Sequence, residues 1–276
     1  MKNNKEQDIT LQVHLDNTRH KRFTSSKTHE MASFARNKVD PGAPFATRVE
    51  EVFLARIADR TLEVNPYSRS MAWGEWCERF AFEQLGMEWK LESRIQYTHE
   101  KFPEWWSGRP DVIKVTKGVR TVADIKCPEI KNFALWSEFF LNDWEHDVKV
   151  EYMKGHKDLK KYYWQLVSNA ILTDSEFCQL IIYLPTPLQL QEIQDAANDI
   201  DEETLLPNRR IWDYKFIADS SPNRLPFLPS TSKLKPLCSL VFKPPQSDRE
   251  FLFDRISTGI SEVKARLEKF ESYGLE

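Results

Sequence analysis

The chain has 276 residues, of which 41% are hydrophobic and 29% are charged. It is long enough to bury one substantial core, and its composition excludes disorder driven by high charge and low hydrophobicity. The 39 Lys and Arg residues against 42 Asp and Glu residues give a formal net charge of −3. This balance excludes a globally basic nucleic-acid coat, but it allows a nucleic-acid enzyme with local basic patches.

The first third of the chain predicts a strand and two amphipathic helices. Hydrophobic and polar residues alternate strictly over residues 9–15, which is the period of a half-buried strand. Hydrophobic residues at helical spacing predict a helix over residues 45–57 and a second over about 71–85, ended by Gly86.

The middle of the chain predicts short strands, a helix and a buried strand. Strand-like segments lie at residues 94–99, 112–115 and 121–127. Residues 128–155 mix aromatic and acidic side chains and allow no firm assignment. A helix is predicted over residues 159–172, and the apolar run at 177–184 is typical of a strand that is buried on both faces.

The last third predicts a capped helix and two further strands. Thr186 is placed to cap a helix that starts at Pro187. The strand candidates lie at residues 211–217 and 237–243. This order of elements predicts an α/β protein.

A long C-terminal helix over about residues 247–272 is the best-marked element of the chain. Ser247 and Glu250 form a capping-box pattern at its start. One face carries Phe253, Ile256, Ile260, Val263, Leu267 and Phe270. We expect a single domain with a core over about residues 19–184 and a C-terminal extension over about 201–276.

An acid and a lysine stand two residues apart in the predicted strand at 121–127. Residues two apart in a strand point to the same face, so Asp124 and Lys126 project together while Ile125 turns into the core. Such charges are poor choices for a sheet interior, and a divalent metal held by Asp111 and Asp124 would offset the cost. Lys126 would then orient or deprotonate an attacking water. The alternative is an exposed strand whose charges face solvent.

Two helical residues favour a site. Glu78 shares a helical face with Gly74 and with apolar residues, which indicates that it faces inwards, and Gly74 allows something to approach closely. Glu75 is the competing acid, and an exposed ion pair is the alternative role for Glu78. Gln165 lies among aromatic residues of the helix at 159–172, where its amide would hydrogen-bond a water, a phosphate, a base edge or the core.

The order of these motifs resembles the PD-(D/E)xK nuclease superfamily. The motifs are most similar to those of its lambda-exonuclease-like (YqaJ-type) viral recombinase group. Trp73, Gly74 and Glu78 are similar to the first motif of that group, and the Asp-Ile-Lys-Cys-Pro sequence that starts at Asp124 resembles its Glu-x-Lys-Cys-Pro. The resemblance covers roughly residues 19–184.

The resemblance implies a restriction-endonuclease-like core, in which helices flank a central mixed β-sheet. It implies a metal-dependent nuclease, most simply a 5′-to-3′ exonuclease on linear double-stranded DNA in phage-type recombination. Mg²⁺, with Mn²⁺ as the alternative, would be held by Asp111, Asp124 and the backbone carbonyl of Ile125. Glu78 would bind a second ion or a coordinated water.

The resemblance also implies that Lys126 and Gln165 position the nucleophilic water.

The sequence departs from the group's pattern at three places. Asp124 stands where Glu is usual, Val112 stands where Gly is more usual, and the segment between Lys126 and Gln165 is longer. We expect metal binding to survive the replacement at Asp124. The extra length and the region after Asp201 are where the DNA path and the oligomer contacts are expected to differ from those of the group.

The resemblance also reaches the N-terminal part of the chain. It implies that Arg19, Thr24 and Ser26 bind the 5′-phosphate of a DNA end, for which a guanidinium and two hydroxyls are suitable. Arg22 and Lys27 are alternative phosphate-binding residues. The other interpretation of this segment is a solvated basic loop that binds no phosphate. A homotrimer around the DNA and a single-strand annealing protein as partner are further implications.

Other kinds of site are disfavoured by the sequence. The four cysteines form no CxxC pair and the histidines show no metal spacing, so we expect neither an iron–sulfur cluster nor a zinc site. No apolar run approaches the roughly 18 residues of a membrane span, and a cytoplasmic protein of a bacterium or phage-infected host is expected. A basic cluster, either a DNA track or a solvated helix face, comprises Lys154, His156, Lys157, Lys160 and Lys161.

Three other functions compete with the exonuclease. An endonuclease of the same fold would cut restriction sites or junctions, and a catalytically silent relative would only bind DNA. The intact set of acids and lysine argues against the silent protein. A helical interaction module at residues 247–272 would explain the C-terminal helix but none of the motifs.

Overall fold

Helices pack on both faces of a mixed β-sheet. The structure, a computed structural model, describes residues 19–60, 68–92, 95–201 and 211–273. In chain order, the strands of this part of the chain are β1 (Phe23–Thr24), β2 (Trp89–Leu91), β3 (Tyr97–His99), β4 (Phe102–Gly108), β5 (Val112–Thr116), β6 (Val119–Lys126), β7 (Phe177–Tyr183) and β8 (Leu237–Phe242). The helices are α1 (Thr28–Met31), α2 (Ala43–Ala58), α3 (Arg69–Glu83), α4 (Ile130–Leu141), α5 (His146–Gly155), α6 (Leu159–Leu172), α7 (Pro187–Asn198), α8 (Ile211–Asp219) and α9 (Gln246–Glu271).

The central sheet has the strand order β2-β5-β6-β7-β8. β6 and β7 run parallel, and the other neighbouring pairs are antiparallel, so the predicted mixed sheet flanked by helices is confirmed. A second sheet has the order β1-β4-β3. Its parallel pairing of β1 with β4 brings Thr24 opposite Ser107 and so carries the N-terminal segment towards the loop before β5.

Strands β6 and β7 contribute side chains to two hydrophobic cores, because successive side chains of a strand point to opposite faces of the sheet. Val122 of β6 lies in the larger core, which α2, α4, α6 and α9 cover. Ala123 and Ile125 lie in the smaller core with residues of α3, α7 and α8. α6 and α3 therefore approach β6 from opposite sides.

Several predicted elements have the expected position. The predicted segments overlap helices α2, α3 and α6 and strands β5 to β8. Thr186 caps α7: its hydroxyl accepts from the backbone N–H of Gln189, and the side chain of Gln189 accepts from the backbone N–H of Thr186. The predicted strand at residues 9–15 and residue 94 lie outside the described residues. The unassigned segment 128–155 forms α4 and α5, which bury aromatic side chains in the larger core.

Two predictions were wrong. Residues 211–217 form helix α8 and not a strand, because Tyr214 and Ile217 are three residues apart and are buried together against the smaller core. The capping box of Ser247 and Glu250 is absent. The helix starts earlier, and the carbonyl of Pro245 accepts from the first turn.

The predicted apolar face of α9 packs on the larger core. Among the helices that the structure describes, none combines the length and the apolar character needed to cross a membrane.

Candidate active site

Asp124 is the centre of the candidate site, and two donors contact its carboxylate. It lies on β6 and is fully buried. Nζ of Lys126 lies 2.6 Å from its Oδ2, and Nε2 of Gln165 on α6 donates to its Oδ1 at 2.8 Å. Asp124 and Lys126 therefore project together, and the side chain of Ile125 is buried in the smaller core.

Asp111 reaches the same strand from the loop between β4 and β5. Its Oδ2 accepts a hydrogen bond of 2.7 Å from the backbone N–H of Ile125, which holds the carboxyl beside β6. Burial raises the pKa of Asp111 well above its ordinary value, and the charge of Asp124 adds to this effect against the opposing charge of Lys126. Two carboxyls therefore share a site in which both ionise only at a cost.

Glu78 comes from α3, on the other side of the sheet. Burial raises the pKa of Glu78 to about 7 against the opposing charge of Lys126, and the charges of Asp124 and Glu75 add to the rise. Glu75, the competing acid, is exposed and accepts a hydrogen bond of 3.4 Å from the hydroxyl of Tyr214. The structure therefore brings Glu78 into the charged group around Asp124.

Lys126 is the positive charge within this group. Burial lowers the pKa of Lys126, but the charges of Asp124, Asp111 and Glu78 outweigh burial and raise the pKa above its ordinary value. The ammonium also lies 5.4 Å from the ring centroid of Tyr162, a cation–π distance. The neighbouring acids therefore favour the charged form of Lys126.

The donor set suits a hard divalent cation. Glu78, Asp111 and Asp124 offer carboxylate oxygens, which Mg²⁺ and Mn²⁺ prefer. The raised pKa values of Glu78 and Asp111 indicate that negative charge is in surplus, and a cation would relieve it. Within the described ranges, no three His, Cys, Asp or Glu side chains converge on one ion position. A bound Mg²⁺ would therefore keep several waters, as it does where a protein supplies one or two carboxylates.

The predicted phosphate-binding residues lie in a segment fastened to α6. Arg19–Lys21 form a 3-10 turn before β1, and the hydroxyl oxygens of Thr24 and Ser26 are 3.3 Å apart. The hydroxyl of Ser25 contacts that of Ser168 on α6 at 2.8 Å. The contact of Ser25 thus holds the backbone around it at a defined place, and Ser26 is exposed.

A second contact ties this segment to the helix of the candidate site. The hydroxyl of Thr28 donates to the carbonyl of Trp164 at 2.9 Å, and the next residue on α6 is Gln165. Lys27, one alternative for phosphate binding, lies 3.4 Å from Glu30. One helix therefore positions both the N-terminal turn and the glutamine at Asp124.

Sequence reasoning missed the polar residues beneath the turn. A Cβ on Gly108 would lie 2.2 Å from Oγ of Ser25 and 2.4 Å from Oδ1 of Asn169, so glycine allows β4 to pass close to α6. Nε1 of Trp106 donates to Oγ of Ser168 at 2.9 Å. The signal available in the sequence was the glycine of Ser-Gly-Arg-Pro-Asp, whose need for close approach depends on residues far along the chain.

The structure divides the predicted basic cluster. Nζ of Lys154 pairs with Glu151 at 2.8 Å and with Asp248 at 3.1 Å, so it contacts α9. Lys161 is exposed and lies 4.7 Å from the ring centroid of Tyr162. Lys161 is therefore placed next to the candidate site, whereas Lys154 stabilises the packing of helices.

Known proteins resemble this chain in structure. No protein-family model matches the sequence, and no curated protein matches it either. The crystal structure of an alkaline exonuclease (LHK-Exo) from Laribacter hongkongensis aligns over 92% of this chain and 94% of that one, with 15% identity and a TM-score of 0.53. The chain has the fold of these exonucleases.

Two further structures give the same result. LHK-Exo in complex with dAMP aligns over 93% of this chain and 95% of that one, with 14% identity and a TM-score of 0.55. A phage related exonuclease from Haemophilus somnus 129PT aligns over 93% of this chain and 99% of that one, with 13% identity and a TM-score of 0.53. The predicted resemblance to exonucleases is thereby confirmed at the level of the fold.

Proposed function

We propose that this chain is a divalent-metal-dependent deoxyribonuclease that hydrolyses phosphodiester bonds. The observation that carries the proposal is the surplus of carboxyl charge around a charged lysine. Three acids, Asp124, Asp111 and Glu78, surround Lys126 at the end of the buried strand β6. The pKa values of Asp111 and Glu78 are raised. Such shifts are typical of sites whose charge a ligand completes.

Each residue of the site has a distinct role in this proposal. Asp111, Asp124 and the backbone carbonyl of Ile125 would hold the cation, which would supply Lewis acidity and lower the pKa of a water. Glu78 would bind a second ion or orient a water. Lys126 keeps its positive charge beside the phosphate that is cleaved, where negative charge develops in the transition state.

Gln165 restricts where a water can lie. Its amide nitrogen donates to Asp124, so the side chain is fixed before substrate arrives. A polar group fixed in this way costs little reorganisation during the reaction and orients a water for attack on phosphorus.

We infer that the substrate is linear double-stranded DNA, digested from its 5′ end. Arg19, Thr24 and Ser26 would bind the terminal 5′-phosphate. The segment that carries Thr24 and Ser26 is fastened at Ser25 and Thr28 to the same helix as Gln165. The structural neighbours named exonucleases, one in complex with dAMP, support digestion from an end of the nucleic acid. A homotrimer around DNA and a single-strand annealing partner in recombination belong to the same proposal, as does a single nuclease domain.

The test is digestion of one linear duplex that carries a 5′-phosphate at only one end. It is run with Mg²⁺ and with Mn²⁺, beside closed circular DNA of the same sequence and an Asp124→Ala variant. We expect loss of the linear duplex from the phosphorylated end, intact circles and an inactive variant.

The other outcomes assign the protein elsewhere. Cutting of closed circles would establish an endonuclease. Binding of DNA without digestion in either metal would contradict the proposed reaction and favour the silent DNA-binding protein. Equal digestion from both ends would remove the phosphate role of Arg19 while leaving the hydrolase.

A further inference from the structure

Gly74 lies in the middle of α3, where glycine is unfavourable. It is flanked by helical residues on both sides within Arg69–Glu83. In a helix interior, glycine is the least favourable residue after proline because it loses the most backbone freedom on folding. A glycine at such a position requires a compensating reason.

Packing within the described chain supplies that reason for another helical glycine but not for Gly74. A Cβ on Gly259 of α9 would lie 2.7 Å from Cε of Met31 and 3.1 Å from Cζ of Phe23. Apart from its two chain neighbours and the backbone of its own helix, a Cβ on Gly74 would meet no heavy atom of the described residues within 4 Å. Gly155, the last residue of α5, has the same open surroundings but ends its helix.

The open space beside Gly74 adjoins the candidate site. Gly74 and Glu78 are four residues apart and share a helical face. Side chains on a helix lean towards its N-terminus, so the carboxyl of Glu78 lies on the side of the turn that contains Gly74. Glu78 is one of the acids of the candidate site, and Gly74 is partly exposed. Since no described residue fills this space, a molecule that approaches these charges would enter it.

We propose that Gly74 gives clearance to the DNA strand that enters beside Glu78. The sugar-phosphate backbone of the substrate passes over this turn of α3, at a distance that excludes a side chain. The inference rests on the proposed nuclease function and assigns a specificity-determining position to it. Gly74 then limits how substrate is seated and has no part in holding a cation.

The experiment enlarges the residue at position 74 without weakening the helix. Gly74→Ala and Gly74→Leu both introduce strong helix formers, and Gly155→Ala is the matched control on another helix. Binding of a fluorescent linear duplex is measured in Ca²⁺, digestion of the same duplex in Mg²⁺, and cation binding by calorimetry.

We expect Gly74→Ala to raise the dissociation constant and KM for DNA about tenfold, because overpacking a close contact costs on that order. Gly74→Leu should have a larger effect. The melting temperature should rise in both variants, kcat should change less than KM, and cation affinity should not change. Gly155→Ala should bind and digest DNA like the wild type.

Other results would overturn the proposal. Unchanged DNA binding and digestion in both Gly74 variants would show that no strand passes there. A fall in kcat together with cation affinity would show that the glycine supports the metal site instead. A wild type that binds but does not digest DNA contradicts the proposed function alone, since the Ca²⁺ binding series still decides the role of Gly74. A wild type that binds no DNA contradicts both.

Discussion

Helix α6 contacts two buried acids, and the two differ in how their charge is balanced. On one face, Tyr163 donates to Asp248, whose carboxylate also contacts Lys154. On another face, Gln165 donates to Asp124, which shares its surroundings with Glu78, Asp111 and Lys126. Asp248 has donors for both of its oxygens within the chain, so its group is complete as a structural contact.

Asp124 also has a donor at each oxygen, but two further acids, Glu78 and Asp111, lie in its group. Glu78 and Asp111 have raised pKa values because burial and like charge disfavour their ionised forms. The positive charge of Lys126 offsets only part of the negative charge of these acids. A balanced buried group stabilises the fold, whereas a surplus of buried charge lowers stability and is retained where a ligand or a reaction uses it.

The largest expected effect separates the two acids by function. Asp124→Asn should lower kcat about a thousandfold or more, because loss of a cation ligand removes several kcal/mol of transition-state stabilisation. Asp248→Asn, the matched control, should keep kcat and lower the free energy of unfolding by about 2 kcal/mol. Digestion assays and urea unfolding of both variants make the comparison. A similar loss of activity in both would show that Asp248 also belongs to the site.

The second effect concerns the stability cost of surplus charge. A carboxyl whose pKa is raised on folding destabilises the protein at pH values above its unfolded pKa, and the cost is complete above the folded pKa. For Glu78 this window runs from 4.5 to about 7. Glu78→Gln should therefore raise the free energy of unfolding at pH 8 by up to about 3 kcal/mol in the absence of metal.

The gain in Glu78→Gln should shrink as the pH falls and disappear towards pH 4.5. Urea unfolding in EDTA at several pH values measures it. A gain that is independent of pH would show that Gln acts through packing and not through the charge of Glu78.

The third effect tests the amide on α6. Gln165→Leu should lower kcat about 10- to 100-fold, the range typical of residues that orient a metal ligand, with a small change in stability. Gln194→Leu is the matched control, because Gln194 is a buried glutamine that donates to the carbonyls of Ile217 and Ser220. Its loss should reduce stability and leave kcat unchanged. Equal kcat in Gln165→Leu and the wild type would remove Gln165 from the mechanism.

The smallest effect is expected from the hydrogen bond between Tyr163 and Asp248. Tyr163→Phe removes one hydrogen bond to Asp248 and should lower the free energy of unfolding by about 1 to 2 kcal/mol. Nuclease activity should not change. Combination with Asp248→Asn should give less than the sum of the two losses, since both variants break the same contact. Strict additivity would show that the hydroxyl and the carboxylate do not interact in solution.

Elements with a strong local pattern were predicted with good bounds. Helix α6 and strand β7 coincide with predicted segments because their hydrophobic residues recur at one clear period. α8 was mistaken for a strand because a short run rich in aromatic and β-branched residues fits either structure. α4 and α5 were not assigned, since their aromatic residues are divided between the core and the surface by contacts with distant elements.

The sequence by itself determined what lies within single elements. The two-residue period of a strand places Asp124 and Lys126 together and Ile125 in the core, and helical spacing identifies Glu78 as a candidate. These relations are local, because backbone geometry sets the direction of each side chain relative to its near neighbours. The prediction of a mixed sheet flanked by helices followed from the order of motifs and the resemblance.

Only the tertiary structure decided which elements meet. It brought Asp111 to the N–H of Ile125, placed Glu78 in the charged group in preference to Glu75, and fastened the turn at Ser25 to α6. Among the described residues, it also placed no side chain against Gly74. Contacts between distant segments depend on how whole helices and sheets pack, and the spacing of residues along the chain does not specify that packing.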